Sequence, residues 1–280
     1  MTNILILSAG TRDKVVQYFK KALAGKGQVI ATDCSEYAPA IYEADDYELV
    51  PRITEPGYLE KILDICQRRQ IAGVLSLIDP ELSLLAQNRE RFLEMGTTPI
   101  VPDAEAVELC FNKYAMYEKL TELGFATGKC FLDKEAFFEA ADAGKMSYPV
   151  FVKPVCGSAS ISINKAEDRE TVAFLCSRED DLMIQEFMDG QEYGADVYID
   201  MISGEIVSVF VKKKLKMRAG ETDKAVSVKD PALFALICDF VKKMGFLGII
   251  DIDLFEIGGK WDISEVNPRF GGGYPHAYAC

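Results

Sequence analysis

The segment Glu265-Val266-Asn267-Pro268-Arg269 spaces a carboxylate, an amide and a guanidinium two residues apart. Residues two apart on a strand share a face, so Glu265 and Asn267 converge, and Pro268 ends the strand ahead of Arg269. In the preceding apolar run, Leu247–Phe255, Asp253 can lie opposite them across a turn at Gly258-Gly259, with Asp251 two residues before it. Asp253, Glu265 and Asn267 then form a set of hard oxygen donors. Such a set suits Mg²⁺, which commonly bridges protein carboxylates to substrate phosphates. A solvated acidic hairpin face is the plainer alternative. The apolar flanks favour the metal, because a buried charge needs a partner.

Two further stretches point toward a nucleotide. Lys153 closes the strand-like run Tyr148–Val155 and precedes the loop Gly157-Ser158-Ala159-Ser160. Backbone N–H groups of such a loop can wrap phosphate oxygens, with the lysine as a point charge; a simple β-turn fits the same residues. The order is the reverse of a GxxxxGK[ST] loop, in which the lysine follows the glycines. In the segment 183–196, Gln185, Glu186, Phe187 and Met188 form a linker whose backbone could read a purine edge, and Glu192 could accept from ribose hydroxyls. Asp79 and Glu81, in Leu77-Ile78-Asp79-Pro80-Glu81-Leu82, follow a strand where open α/β sheets bind ligands. They could hold an amine, or act as the first-turn acids of a helix. His276 is the sole histidine and could touch substrate. The scattered cysteines include no CxxC pair, so reduced thiols are expected rather than metal clusters or disulfides.

These residues need a scaffold, and the chain supplies two textures. Over residues 1–100, apolar runs (Asn3–Ala9, Gln28–Asp33, Ala72–Asp79) alternate with helical periodicity at Asp13–Ala24, Tyr58–Gln70 and 81–96. That alternation predicts a parallel, Rossmann-like sheet. No GxGxxG follows the first strand, which removes the dinucleotide reading. Beyond residue 100 a helix over 103–124, hairpins turning at Ser203-Gly204 and Gly258-Gly259, a loop over 216–225 and a helix from Pro231 predict an α+β arrangement. A net charge of −13 argues against general nucleic-acid binding. No apolar run reaches the ~20 residues of a membrane span and no leader is visible, so a cytoplasmic protein is expected.

In this order and spacing the pieces resemble the ATP-grasp superfamily, with carbamoyl-phosphate synthetase large chains and biotin carboxylase nearest in flavour. The resemblance covers essentially the whole chain. It implies a Rossmann-like pre-ATP-grasp domain (1–100), a first ATP-grasp lobe with a phosphate loop (101–184) and a second lobe with the Mg²⁺ site (185–280), either truncated or naturally short at its C-terminal end. It implies ATP with Mg²⁺, or Mn²⁺ in its stead, as cofactors. Lys113 and Lys153 would contact phosphates, and Gly157, Ser158 and Ser160 would cover them. Gln185, Glu186, Phe187 and Met188 would read adenine, and Glu192 the ribose. Asp253, Glu265 and Asn267 would hold the metal, Arg269 would stabilise an acyl-phosphate, and Gly271–Gly273 would let the backbone approach substrate. Lys214, Lys216 and Arg218 would face the phosphates or the substrate carboxylate.

The activity so implied is a ligase that phosphorylates a carboxylate and couples it to an amine. A bicarbonate-phosphorylating synthetase half and a non-catalytic ATP-binding regulator are the alternatives. Small-molecule carboxylate and amine partners follow, without nucleic acid or membrane, and a homodimer stays open. Two departures stand out: the loop is poor in glycine, and Asp253 replaces a glutamine, as in D-alanine–D-alanine ligases.

Overall fold

The computed structural model describes residues 2–157, 162–218 and 220–280. The first part alternates strand and helix: β1 (Asn3–Leu7), α1 (Asp13–Leu23), β2 (Val29–Asp33), β3 (Asp46–Leu49), α2 (Tyr58–Arg68), β4 (Ile71–Ser76), α3 (Asp79–Gln87), α4 (Arg89–Glu94) and β5 (Thr98–Pro99). Its strands run parallel in the order β3-β2-β1-β4-β5. β1, β2 and β4 read as continuous apolar runs because helices cover both faces: Leu5 and Leu7 pack toward α2 and α3, Ile4 and Ile6 toward α1.

α5 (Ala104–Phe111), α6 (Lys113–Glu122), β6 (Cys130–Phe131), α7 (Lys134–Asp142), β7 (Val150–Pro154), β8 (Asn164–Ala166), α8 (Arg169–Cys176) and β9 (Leu182–Glu186) follow. Their strands form an antiparallel sheet, β6-β9-β7-β8. The last part comprises β10 (Gln191–Ile199), β11 (Ile206–Arg218), β12 (Glu221–Val228), α9 (Pro231–Met244), β13 (Gly248–Ile257), β14 (Lys260–Asn267) and α10 (Tyr274–Ala279). Its antiparallel sheet has the order β12-β11-β10-β13-β14.

This last sheet has two unlike faces. Ala195, Val197, Ile250, Ile252, Leu254 and Val266 alternate onto one of them and meet Leu233, Ile237, Phe240 and Val241 of α9. Each such side chain contributes about 1.5–3 kcal/mol on burial. α9 is fixed at both ends. Asp230 accepts from the N–H groups of Ala232 and Leu233 (2.9 and 3.2 Å), and Gly245 stops it at φ 67°. The opposite face carries the charged residues described below.

Several expectations needed correction. The helix expected over 103–124 is two helices. Asn112 accepts from Ala115 N–H to start α6 and pairs in a bridge with Cys156, which turns the chain. The helix over 81–96 breaks likewise at Asn88, and its first turn begins earlier, at Asp79. The loop expected over 216–225 is the tip of the β11–β12 hairpin. β3 and a 3₁₀ turn at Pro39–Glu43 were not anticipated. All eight cysteines are free thiols, and among the described residues no helix is long and apolar enough to cross a membrane.

Candidate active site

The polar face of the last sheet forms one wall of a cavity of about 540 Å³. Strand register assembles that wall. Asp253 pairs with Glu265 and Asp251 with Asn267 across β13 and β14, while Asp196 pairs with Asp251 and Gly194 with Asp253 across β10 and β13. Lys212 faces Gly194 from β11. A side chain at Gly194 would start 3.0 and 3.2 Å from the Lys212 and Lys214 Cε atoms, so the missing Cβ gives both lysine stems their course.

The charges pair closely. Lys214 donates to Asp253 Oδ1 (2.6 Å) and Glu192 Oε1 (2.7 Å). Burial works against its ammonium, but the two carboxylates hold it above its usual range. Lys212, 1% exposed, donates to Asp196 Oδ2 at 2.5 Å. Burial pushes the Asp196 carboxyl up, and Lys212 opposes that shift. Desolvation, with Asp253 and Asp196 alongside, pushes Asp251 up to about 7. Lys153, 7% exposed at the end of β7, is depressed by burial, while Glu265 pulls it back.

The donor set fits Mg²⁺. Asp253 and Glu265 stand opposed in register, with Asn267 on the same face. Among the described residues no three or more His, Cys, Asp or Glu side chains converge on one metal position. Two carboxylates and an amide are what Mg²⁺ uses when substrate phosphates and water complete its octahedron.

The cavity brings together many of the expected residues: Lys153, Gln185, Phe187, Met188, Glu192, Lys214, Asp253, Glu265, Asn267, Arg269 and Asp79 all line it. Lys113 lies behind this wall. Its Nζ donates to the Gly157 carbonyl and stands 4.0 Å from Glu265 Oε1. Ser158 and Ser160 lie outside the described residues. Glu186 turns away: its N–H and Oε2 are both used by the Lys129 backbone (2.8 and 3.1 Å), which leaves that N–H unavailable to a purine.

Four expected substrate or catalytic residues are not on the wall. Arg218 is exposed at the hairpin tip, and Lys216, also exposed, pairs with Asp223. His276 lies in α10 with its ring 5.0 Å from that of Phe210. Glu81 is 1% exposed and accepts from Ser8 (2.6 Å), Ser76 (2.5 Å) and Tyr58, so its carboxylate is an internal junction that no substrate amine can reach. Asp79 does face the cavity, but it binds Arg269 there, with Nε to Oδ1 at 2.7 Å and Nη2 to Oδ2 at 3.3 Å.

Sequence reasoning missed Lys212, Asp196 and Arg12, the last reaching the cavity from the β1–α1 turn. A Cβ on Gly271 would fall 2.5 Å from the Asp251 carboxylate, and one on Gly273 2.9 Å from Lys212 Cε. These glycines therefore let the backbone pack onto the buried ion network, and Gly272 and Gly273 also line the cavity.

Comparison with known proteins agrees with this fold. Residues 110–273 match the family model described as ATP-grasp domain, and residues 4–100 the model described as PylC-like, N-terminal domain. The arginine-specific carbamoyl phosphate synthase large chain of Geobacillus stearothermophilus is 25% identical over 239 residues, 80% of this chain and 22% of that one. Formate-dependent phosphoribosylglycinamide formyltransferase of Bordetella parapertussis is 25% identical over 292 residues, 96% of this chain and 68% of its own. Among solved structures, the biotin carboxylase domain of 2-oxoglutarate carboxylase from Hydrogenobacter thermophilus, in complex with MgADP, ADP and bicarbonate, superposes with a TM-score of 0.74. That match has 17% identity and covers 98% of this chain and 65% of the other. The chain thus spans about a fifth of the synthase large chain.

Proposed function

We propose, from the premise that this chain belongs to the ATP-grasp family, that it is an ATP- and Mg²⁺-dependent ligase that phosphorylates a carboxylate and joins it to an amine. The observation that carries the reading is the convergence of Asp253, Glu265, Asn267, Lys153 and Arg269 around one cavity. Gln185, Phe187, Met188 and Glu192 line the same cavity; the first three would take the adenine, and Glu192 would accept from the ribose hydroxyls. Lys153, held at the end of β7, neutralises phosphate charge inside a partly desolvated site, where such charge counts most. Asp253, Glu265 and Asn267 would hold the metal, which when bound supplies charge neutralisation across the β- and γ-phosphates.

The acid's oxygen attacks the γ-phosphorus, the bond to the β,γ-bridging oxygen breaks, and ADP departs. Arg269 stabilises the mixed anhydride that results. An amine then attacks its carbonyl carbon, phosphate leaves, and the amine's proton passes to solvent. No protein nucleophile is needed, because positioning and charge stabilisation carry the first step. Lys214 occupies Asp253 in this structure, so its ammonium must yield when the phosphates and metal enter.

The test is ADP release from Mg-ATP in the presence of pooled amino acids, dicarboxylates or bicarbonate. Stimulation by an amino-acid or dicarboxylate pool, lost on withdrawal of Mg²⁺ and in Glu265→Ala, is the expected result. Stimulation by bicarbonate alone transfers the same residues to a carboxyphosphate-forming reaction. Absence of ATP binding by calorimetry rejects both.

A further inference from the structure

The guanidinium of Arg269 is held from the parallel-sheet half of the molecule. Its Nε and Nη2 donate to the two carboxylate oxygens of Asp79 (2.7 and 3.3 Å), 190 residues away in sequence. Nη2 also reaches Asn267 Oδ1, and Nη1 the Phe270 carbonyl, both at 3.3 Å. The Asp79 and Arg269 side chains are 11% and 13% exposed and both line the cavity. A fork-to-fork pair of this kind fixes the plane of the guanidinium as well as its position.

Asp79 is itself fixed. It opens α3 directly after β4, with Pro80 in the first turn of the helix, and its negative charge sits at that helix's positive end. Burial works against the Arg269 cation, while Asp79 holds it charged and above its ordinary range.

We infer that Asp79 is a positioning residue: through this bidentate pair the first domain aims Arg269 at the phosphoryl group in transfer. The inference rests on the reading that Arg269 touches the reacting atoms. It replaces the expectation that Asp79 binds an acceptor amine, and it gives the parallel-sheet domain a part in the first chemical step. A carboxylate on a strand-to-helix junction constrains the arginine more tightly than a mobile surface pair would, because Asp79 is fixed at the start of α3 and both side chains are largely buried.

A double-mutant cycle on the full chain tests this. Asp79→Asn, Arg269→Ala and the double variant are assayed for ADP release from Mg-ATP with the pooled amino acids, dicarboxylates and bicarbonate, and for ATP affinity by calorimetry. Asp79→Asn keeps the shape and the helix start but loses an anionic acceptor. It should lower kcat about 10- to 100-fold, the range for groups that support a functional side chain, while KM for ATP stays close to wild type; the melting temperature falls, because the buried guanidinium loses its anionic partner. Asp79→Glu should recover part of the loss. In the Arg269→Ala background, Asp79→Asn should cost nothing further, since its effect passes through the arginine.

Multiplicative losses in the double variant, or an unchanged kcat in Asp79→Asn beside an inactive Arg269→Ala, would overturn the positioning role and leave the proposed function standing. Normal turnover by Arg269→Ala would overturn both.

Discussion

Replacing Lys212 with Met should destabilise the protein strongly, and the structure sets the scale. Lys212 and Asp196 are each 2% exposed at the side chain and are joined at 2.5 Å. Asp196 Oδ1 has no hydrogen-bond partner among the described residues. Removing the lysine leaves a buried carboxylate beside Asp251, its register partner. Breaking a buried pair from one side costs about 3–5 kcal/mol. At ~2–4 °C per kcal/mol for a chain of this size, the melting temperature should fall by roughly 6–20 °C.

The pH dependence has a definite sign. Burial already raises the Asp196 carboxyl, and without Lys212 it rises further. A carboxyl raised in the folded state is tolerated when protonated, so the variant's deficit is smallest below the unfolded value of about 3.9 and grows as pH climbs through the folded one. Urea and thermal denaturation at pH 5 and pH 8 read this directly. The double variant Asp196→Leu/Lys212→Met should regain most of the loss, because an apolar pair of similar volume removes the desolvation cost from both sides. A single-variant deficit under ~1 kcal/mol, or a double variant no more stable than the single, would refute the reasoning.

Two other substitutions probe the surroundings of the site. In Gly271→Ala the new methyl would lie 2.5 Å from the Asp251 carboxylate. A cost of about 1–3 kcal/mol is expected from overpacking, together with loss of ADP release, in a chain whose far-ultraviolet circular dichroism is unchanged; full activity would show that the tail does not press on this network. Glu81→Gln exchanges an acceptor of hydroxyl protons from Ser8, Ser76 and Tyr58 for an amide. Thermal melting should show a loss of about 1–3 kcal/mol for the disrupted buried bonds, with ATP affinity by calorimetry unaltered. A weakened ATP affinity would restore Glu81 to the site.

The last hairpin was readable in the sequence because period-two alternation, an apolar partner face and a Gly-Gly turn all agree there. The alternation that buries Ile250, Ile252 and Leu254 also aligns Asp251 and Asp253. Lys212 was hidden for the opposite reason. A run of lysines reads as solvated, and only pairing across Gly194 beside Asp196 shows that one of them is fully enclosed. The Asp79–Arg269 pair joins residues whose local sequences each have a sufficient explanation, a helix start and a strand end, so nothing local pointed to the contact. β3 escaped because Asp46–Leu49 is a short, half-exposed edge strand without an apolar run. The break at Asn112 depended on a cap and a bridge to Cys156, both tertiary in origin.

The central claim is that a carboxylate oxygen attacks the γ-phosphate of ATP. The most direct measurement runs the reaction with Mg-ATP and the pooled acids labelled with ¹⁸O in their carboxyl groups, then examines the released phosphate by ³¹P nuclear magnetic resonance. One ¹⁸O per phosphate, formed together with ADP and absent in Glu265→Ala, is the predicted result. Unlabelled phosphate from the stimulated reaction, or pyrophosphate and AMP as products, would contradict it.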